Sequence, residues 1–67
     1  MKRKKLERRL WEIARLHNLD ITFREGGNHT IVVIGSTQST IPRHREINEI
    51  TANSIIRYFE RNLDGKQ

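Results

Sequence analysis

Two glycine-centred breaks decide most of what this chain can become. Gly26-Gly27 and Gly35-Ser36 stand on either side of the run His29–Ile34, HTIVVI. Glycine takes the positive φ that tight hairpin turns require. The bracketed run is too short for a stable helix and rich in β-branched residues, so it reads as a strand. Before it, Asp20 to Glu25 alternates Ile21 and Phe23 with Thr22 and Arg24, the pattern of a half-buried strand. After it, Thr37 to Ile41 supplies a third and weaker strand, which Pro42 ends because proline cannot donate to a ladder. Consecutive strands joined by tight turns pair antiparallel, so the middle of the chain is a meander.

Helical patterns flank it. Leu6, Leu10, Ile13, Ala14 and His17 share one face of a first helix expected over about 3–17, with Trp11 and Leu16 beside that face and Asn18 as its stop. Ala52, Ile55, Ile56, Phe59 and Leu63 share the apolar face of a second helix over about 48–62, and Gly65 follows its end. The fold class expected is α+β, in the order α-β-β-β-α, with both helices on one face of a three-stranded antiparallel sheet. At 67 residues the chain makes one domain with a thin core, and it has no cysteine to staple it. Added stability would have to come from a partner or an oligomer.

Register decides which residues look outward. With two-residue turns at Gly26-Gly27 and Gly35-Ser36, Arg24 lies opposite His29 and Phe23 opposite Thr30. Across the second turn, Val32 faces Ser39, Thr30 faces Ile41, and Pro42 sits opposite His29. Ile21, Phe23, Val32, Ile34 and Ile41 then lie under the helices. Arg24, His29, Ile31, Val33, Gln38 and Thr40 share the open face.

Thirteen Lys and Arg stand against eight Asp and Glu, a formal charge of +5. Six of the cations fall in the opening MKRKKLERR, and residues 1–5 read as a mobile basic arm. A basic excess on a small chain points to a polyanion, most simply nucleic acid. No apolar run of about 7–15 residues follows the basic start, as a secretory signal would require. Nothing approaches the roughly 20 apolar residues that span a bilayer. A soluble, cytoplasmic protein is expected, consistent with the absence of cysteine.

An open-face imidazole beside an arginine suits RNA chemistry. Imidazole titrates near pH 6.5 and so can take and give a proton at neutral pH. RNA carries its own nucleophile, the 2′-hydroxyl, beside each phosphate. A base, an acid and a cation for the developing phosphorane charge would suffice to cleave it. His29 also fits a polar residue that merely closes a hairpin, and the residues alone leave both readings open. His44, in the loop after Pro42, approaches the same edge or stays solvated. His17 packs at a helix end, and Trp11 borders the core. His17, His29 and His44 are scattered and the carboxylates lack ligand spacing, so no metal site and no cofactor are expected. No Ser, His and acid group is set up for serine-type catalysis.

FREGGNHT at 23–30 and STIPRHREI at 39–47, followed by the T-A-x-x-I-I pattern at 51–56, make the chain resemble the HicA family of bacterial and archaeal toxin–antitoxin systems. The resemblance spans Leu6 to Phe59. It rests on an Arg, a glycine turn, a small polar residue and His at the start of strand two (Arg24, Gly27, Asn28, His29) and on a later Pro-x-His (Pro42, His44). Asn28 stands where the family more often has Ser, Asn18 where it often has Gly, and the basic lead is longer than in many members. The resemblance implies a small double-stranded-RNA-binding-like fold and a metal-independent ribonuclease that cuts mRNA without the ribosome. His29 would be the catalytic residue, and Arg24, Asn28, Arg43, His44 and Arg45 would meet RNA. A HicB-like antitoxin would cover His29, docking over Ile31 and Val33. Two other readings stand beside this one. One is a non-catalytic module that binds double-stranded RNA by shape. The other is an interaction subunit that uses Ile31 and Val33 as a docking patch.

Overall fold

A computed structural model describes residues 1–64. Helix α1 (Arg3–Leu16) leads into strands β1 (Ile21–Gly26), β2 (His29–Ile34) and β3 (Thr37–Pro42), and helix α2 (Glu49–Asp64) follows. The sheet is antiparallel in the order β1-β2-β3. The expected α-β-β-β-α order and open three-stranded sheet are therefore observed. Gly65, read as the stop of the second helix, lies outside the described residues.

The core forms where the inward face of the sheet meets both helices. Leu6, Leu10, Ile13 and Ala14 from α1 pack with Val32, Ile34 and Ile41 from the sheet and with Ala52, Ile55, Ile56 and Phe59 from α2. Each of these was expected on an inward face. Ile21 and Phe23 are only half-buried at the margin of this cluster, because β1 is an edge strand lying away from the two helices. Trp11 is 51% exposed, so it lies outside the core rather than bordering it. Ile47 is buried, although it stands alone among charged residues in what the sequence presents as a loop.

The two helices start by different means. Asn48 caps α2, its side-chain oxygen accepting from the Ile50 amide at 2.8 Å and, more weakly, from Thr51 at 3.4 Å. Helix α1 has no side-chain cap and no acid in its first turn, where Arg3, Lys4 and Lys5 oppose the helix dipole. Its start is held from outside instead. Lys2 pairs antiparallel with Glu46, the Arg3 amide donates to Arg45 carbonyl at 2.8 Å, and the Ile47 amide donates to Met1 carbonyl at 2.7 Å. Residues 1–5 are thus not a mobile arm. The first two lie along the loop before α2, and helix begins at Arg3.

Helix α1 ends at a left-handed Asn18, with φ 57°. The amides of Asn18 and Leu19 donate back to the carbonyls of Arg15 and Ala14 at 3.1 and 2.9 Å, the Schellman arrangement. Leu19 then lies over Gly35, where an added Cβ would come within 3.1 Å of it.

The first turn differs from expectation. Its loop residues are Gly27 and Asn28, with φ 50° at Gly27, and Gly26 belongs to β1. His29 is therefore paired with Gly26, and Arg24 with Ile31. The slip is by two residues, so every side chain keeps its expected face. A glycine at the first loop position is what such a turn requires, and Gly27 meets that need better than Gly26, which can remain extended. The second turn and its register are as expected, with Val32 opposite Ser39 and His29 opposite Pro42.

Candidate functional site

His29 opens β2 at the turn end of the sheet, exposed on the face that no helix covers. Its cross-strand neighbours are Gly26 and Pro42. One has no side chain and the other a compact ring, so the imidazole stands in open space. Ile31, two residues on, leans over Gly26, where an added Cβ would lie 3.1 Å from its Cδ1. Arg24 lies across from Ile31, diagonal to His29 on the same face rather than directly opposite it. Ile31 and Val33 are half-buried, not freely exposed, because β2 is the central strand and both neighbours shield its outer face.

Thr30, the next residue, points the other way and is fully buried beneath the start of α1. Its hydroxyl accepts from an Arg3 guanidinium nitrogen at 2.7 Å and donates toward the Glu25 carboxylate at 3.1 Å. Glu25 in turn pairs with Arg43 at 2.8 Å. Four elements are tied together directly behind His29: the first turn of α1, the end of β1, the start of β2 and the loop after β3. Most of these groups are partly exposed, so the ion pair adds little by itself. The buried hydroxyl is the costlier group to lose. Thr30→Val, which keeps the shape and removes the hydroxyl, should destabilise the fold by about 1–2 kcal/mol. Urea denaturation of both proteins measures it, and an unchanged midpoint would show the network to be ornamental.

The sequence-predicted RNA residues divide into two groups. Arg24 stays on the open face with His29, and Asn28 sits in the turn beside it. Arg43 and Arg45 instead join Lys2, Arg3, Lys4 and Glu7 in lining an open cleft of about 580 Å³. His44 is exposed between those two arginines. Among the described residues, no hydrogen bond or ion pair joins His29 to Arg24, Arg43 or His44. No group of three or more His, Cys, Asp or Glu side chains among the described residues is gathered to hold a metal ion. No described helix is long and apolar enough to cross a membrane.

Sequence reasoning missed the part played by Thr30, Glu25 and Arg3. A signal was present: the register puts Thr30 inward beside Ile41, and a polar side chain in a core position needs a partner. The identity of that partner depended on how α1 lies over the sheet. The cleft was equally hidden, because Lys2–Lys4 and Arg43–Arg45 are far apart in the chain.

Comparison of the chain with protein-family models, with curated proteins and with solved structures finds no match.

Proposed function

We propose that this protein is a metal-independent endoribonuclease that cuts mRNA, acting as the toxin of a HicA-like toxin–antitoxin pair in the cytoplasm. The observation that carries this reading is the exposed imidazole of His29, set between Gly26 and Pro42 on the uncovered sheet face, with its strand end anchored from behind through Thr30. In the proposed reaction His29 takes the proton of a 2′-hydroxyl. The freed oxygen attacks the adjacent phosphorus, the bond from phosphorus to the 5′-oxygen breaks, the leaving oxygen takes a proton from solvent water, and His29 returns its proton to solvent. The products are a 2′,3′-cyclic phosphate and a 5′-hydroxyl end. Arg24 is the strand cation that shares this face with His29, placed to receive the phosphorane charge. Incubating purified protein with RNA in excess chelator tests the reading. New 5′-hydroxyl ends support it, and intact RNA at high protein concentration rejects it.

One observation favours the alternative of a binding module without catalysis. Lys4, Arg8, Trp11 and Arg15 are all exposed and lie on one stripe of α1. A basic helix face of this kind suits shape-based binding to duplex RNA.

The open face is also where a HicB-like antitoxin should dock. Ile31 and Val33 follow His29 along the same face of β2 and are left half-covered by the sheet. Their further burial would favour a complex, and the basic rim would speed encounter with an acidic partner. Ile31→Lys or Val33→Lys should weaken antitoxin binding about tenfold or more, equivalent to about 1.4 kcal/mol. Calorimetric titration with the purified partner reads the change directly. Full affinity in both variants would move the docking surface elsewhere.

A further inference from the structure

The cleft between the first turn of α1 and the loop after β3 is built almost wholly of cations. Lys2, Arg3, Lys4, Arg43 and Arg45 line it, against the one carboxylate of Glu7. Several are partly committed: Lys2 to Glu46 at 3.2 Å, Arg43 to Glu25 at 2.8 Å, and Arg3 to Glu7 and Thr30. Lys4 and Arg45 are exposed and form no ion pair among the described residues. Gathering so many like charges in a small domain is unfavourable, the more so at the positive end of a helix. An anion in the cleft would relieve both strains.

The chemistry of the walls narrows the choice of anion. Every side chain lining the cleft is charged, so apart from the stems of those side chains it has no aromatic or branched aliphatic anchor of the kind that centres a protein interface. Charge and guanidinium forks are what it offers, and these suit a repeating phosphate backbone. Position narrows it further. Arg43 directly follows Pro42, which pairs with His29, while Arg3, on the other wall, also donates to Thr30 on the helix-covered face. A chain filling the cleft and reaching His29 must turn around the end of the sheet. Measured over Cα atoms, the fold is only 16 Å across in its shortest dimension, so that turn is a tight one. A double helix, with a persistence length of about 50 nm for DNA, does not bend within such a distance, whereas a single strand does.

We infer that this cleft is a phosphate-binding subsite for single-stranded RNA, holding the backbone on the helix side while the strand passes around the sheet end to His29. The inference rests on the reading of the protein as one that acts on RNA, and it excludes a duplex as the substrate at this site.

The double variant Lys4→Gln, Arg45→Gln tests it in a His29→Ala background, which keeps the probe intact. The probes are a labelled oligouridylate of about 12 nucleotides and an RNA duplex of about 12 base pairs. Single-strand affinity should fall about tenfold, and its salt dependence should flatten by about 1.4, at about 0.7 per lost phosphate contact. The duplex should bind more weakly than the single strand. Circular dichroism checks that the fold is kept. Unchanged affinity and slope would overturn the subsite, and so would duplex binding as tight as single-strand binding. Retained RNA binding with lost affinity for polyglutamate would also overturn it, making the cleft a protein-docking site. If the protein with His29 intact fails to cut RNA but the double variant still loses RNA affinity, the ribonuclease reading falls and the subsite stands.

Discussion

His29→Ala is expected to slow RNA cleavage by about 10²–10⁴-fold while leaving the protein folded, the range typical for removal of one general acid–base side chain. The two halves of this expectation have separate grounds. The imidazole is exposed on the uncovered face and takes no part in the core, so its loss empties no cavity. The strand beneath it keeps its backbone pairing to Gly26 and Pro42, which does not depend on the side chain. Thr30 still ties the strand end to Arg3 and Glu25. A change in cleavage therefore reports on chemistry and not on collapse of the site. Single-turnover cleavage of a defined RNA in chelator, with melting curves of both proteins alongside, provides the measurement. Equal rates for the two proteins, once a contaminating nuclease is excluded, would remove His29 from the mechanism.

Phe59→Ala should do the opposite, removing a large share of the fold's stability with no bearing on chemistry. Phe59 is the largest of the fully buried side chains. It is set in α2 against α1 and the sheet, and the Tyr58 ring meets it edge-on at a centroid distance of 5.4 Å. Truncating a buried phenylalanine costs about 3–5 kcal/mol, the transfer term plus the cavity left behind. At roughly 0.05–0.15 kcal/mol per residue, a chain of 67 residues has only about 3–10 kcal/mol to lose. The variant should melt far below the wild-type protein by circular dichroism. Tyr58→Ala is the contrast: Tyr58 is 40% exposed, and its loss should cost no more than about 0.5–1.5 kcal/mol through the ring contact. Similar melting temperatures for the two variants would mean that the core does not centre on Phe59.

Much of the candidate site was legible in the residues, and the reason is local. Glycine near 26–27 and 35 demands turns, alternation in 20–25 and β-branching in 29–34 demand strands, and these place His29 at a strand mouth on the outer face. The two-residue slip of the first turn shows the limit of such reasoning. Face depends only on parity, which hydrophobic alternation determines strongly. Exact partner depends on which of two adjacent glycines takes the positive φ, and both can. Sequence pattern thus places Arg24 on the correct face but opposite the wrong residue.

Sequence by itself determined the element order, the inward face of each strand and helix, and the exposure of His29, because each follows from short-range periodicity and turn chemistry. Tertiary structure decided what lies behind and beside His29. Six cations in nine positions make the opening residues look like a free, solvated tail. They are held because Arg3 and Met1 find backbone partners in the loop at 45–47, more than forty residues away in the chain. The same crossing brings Arg3 onto Thr30 and sets Lys2–Lys4 against Arg43 and Arg45. Periodicity carries no information about such pairings, since they arise only when α1 settles across the sheet and its buried apolar face fixes where its polar end must lie.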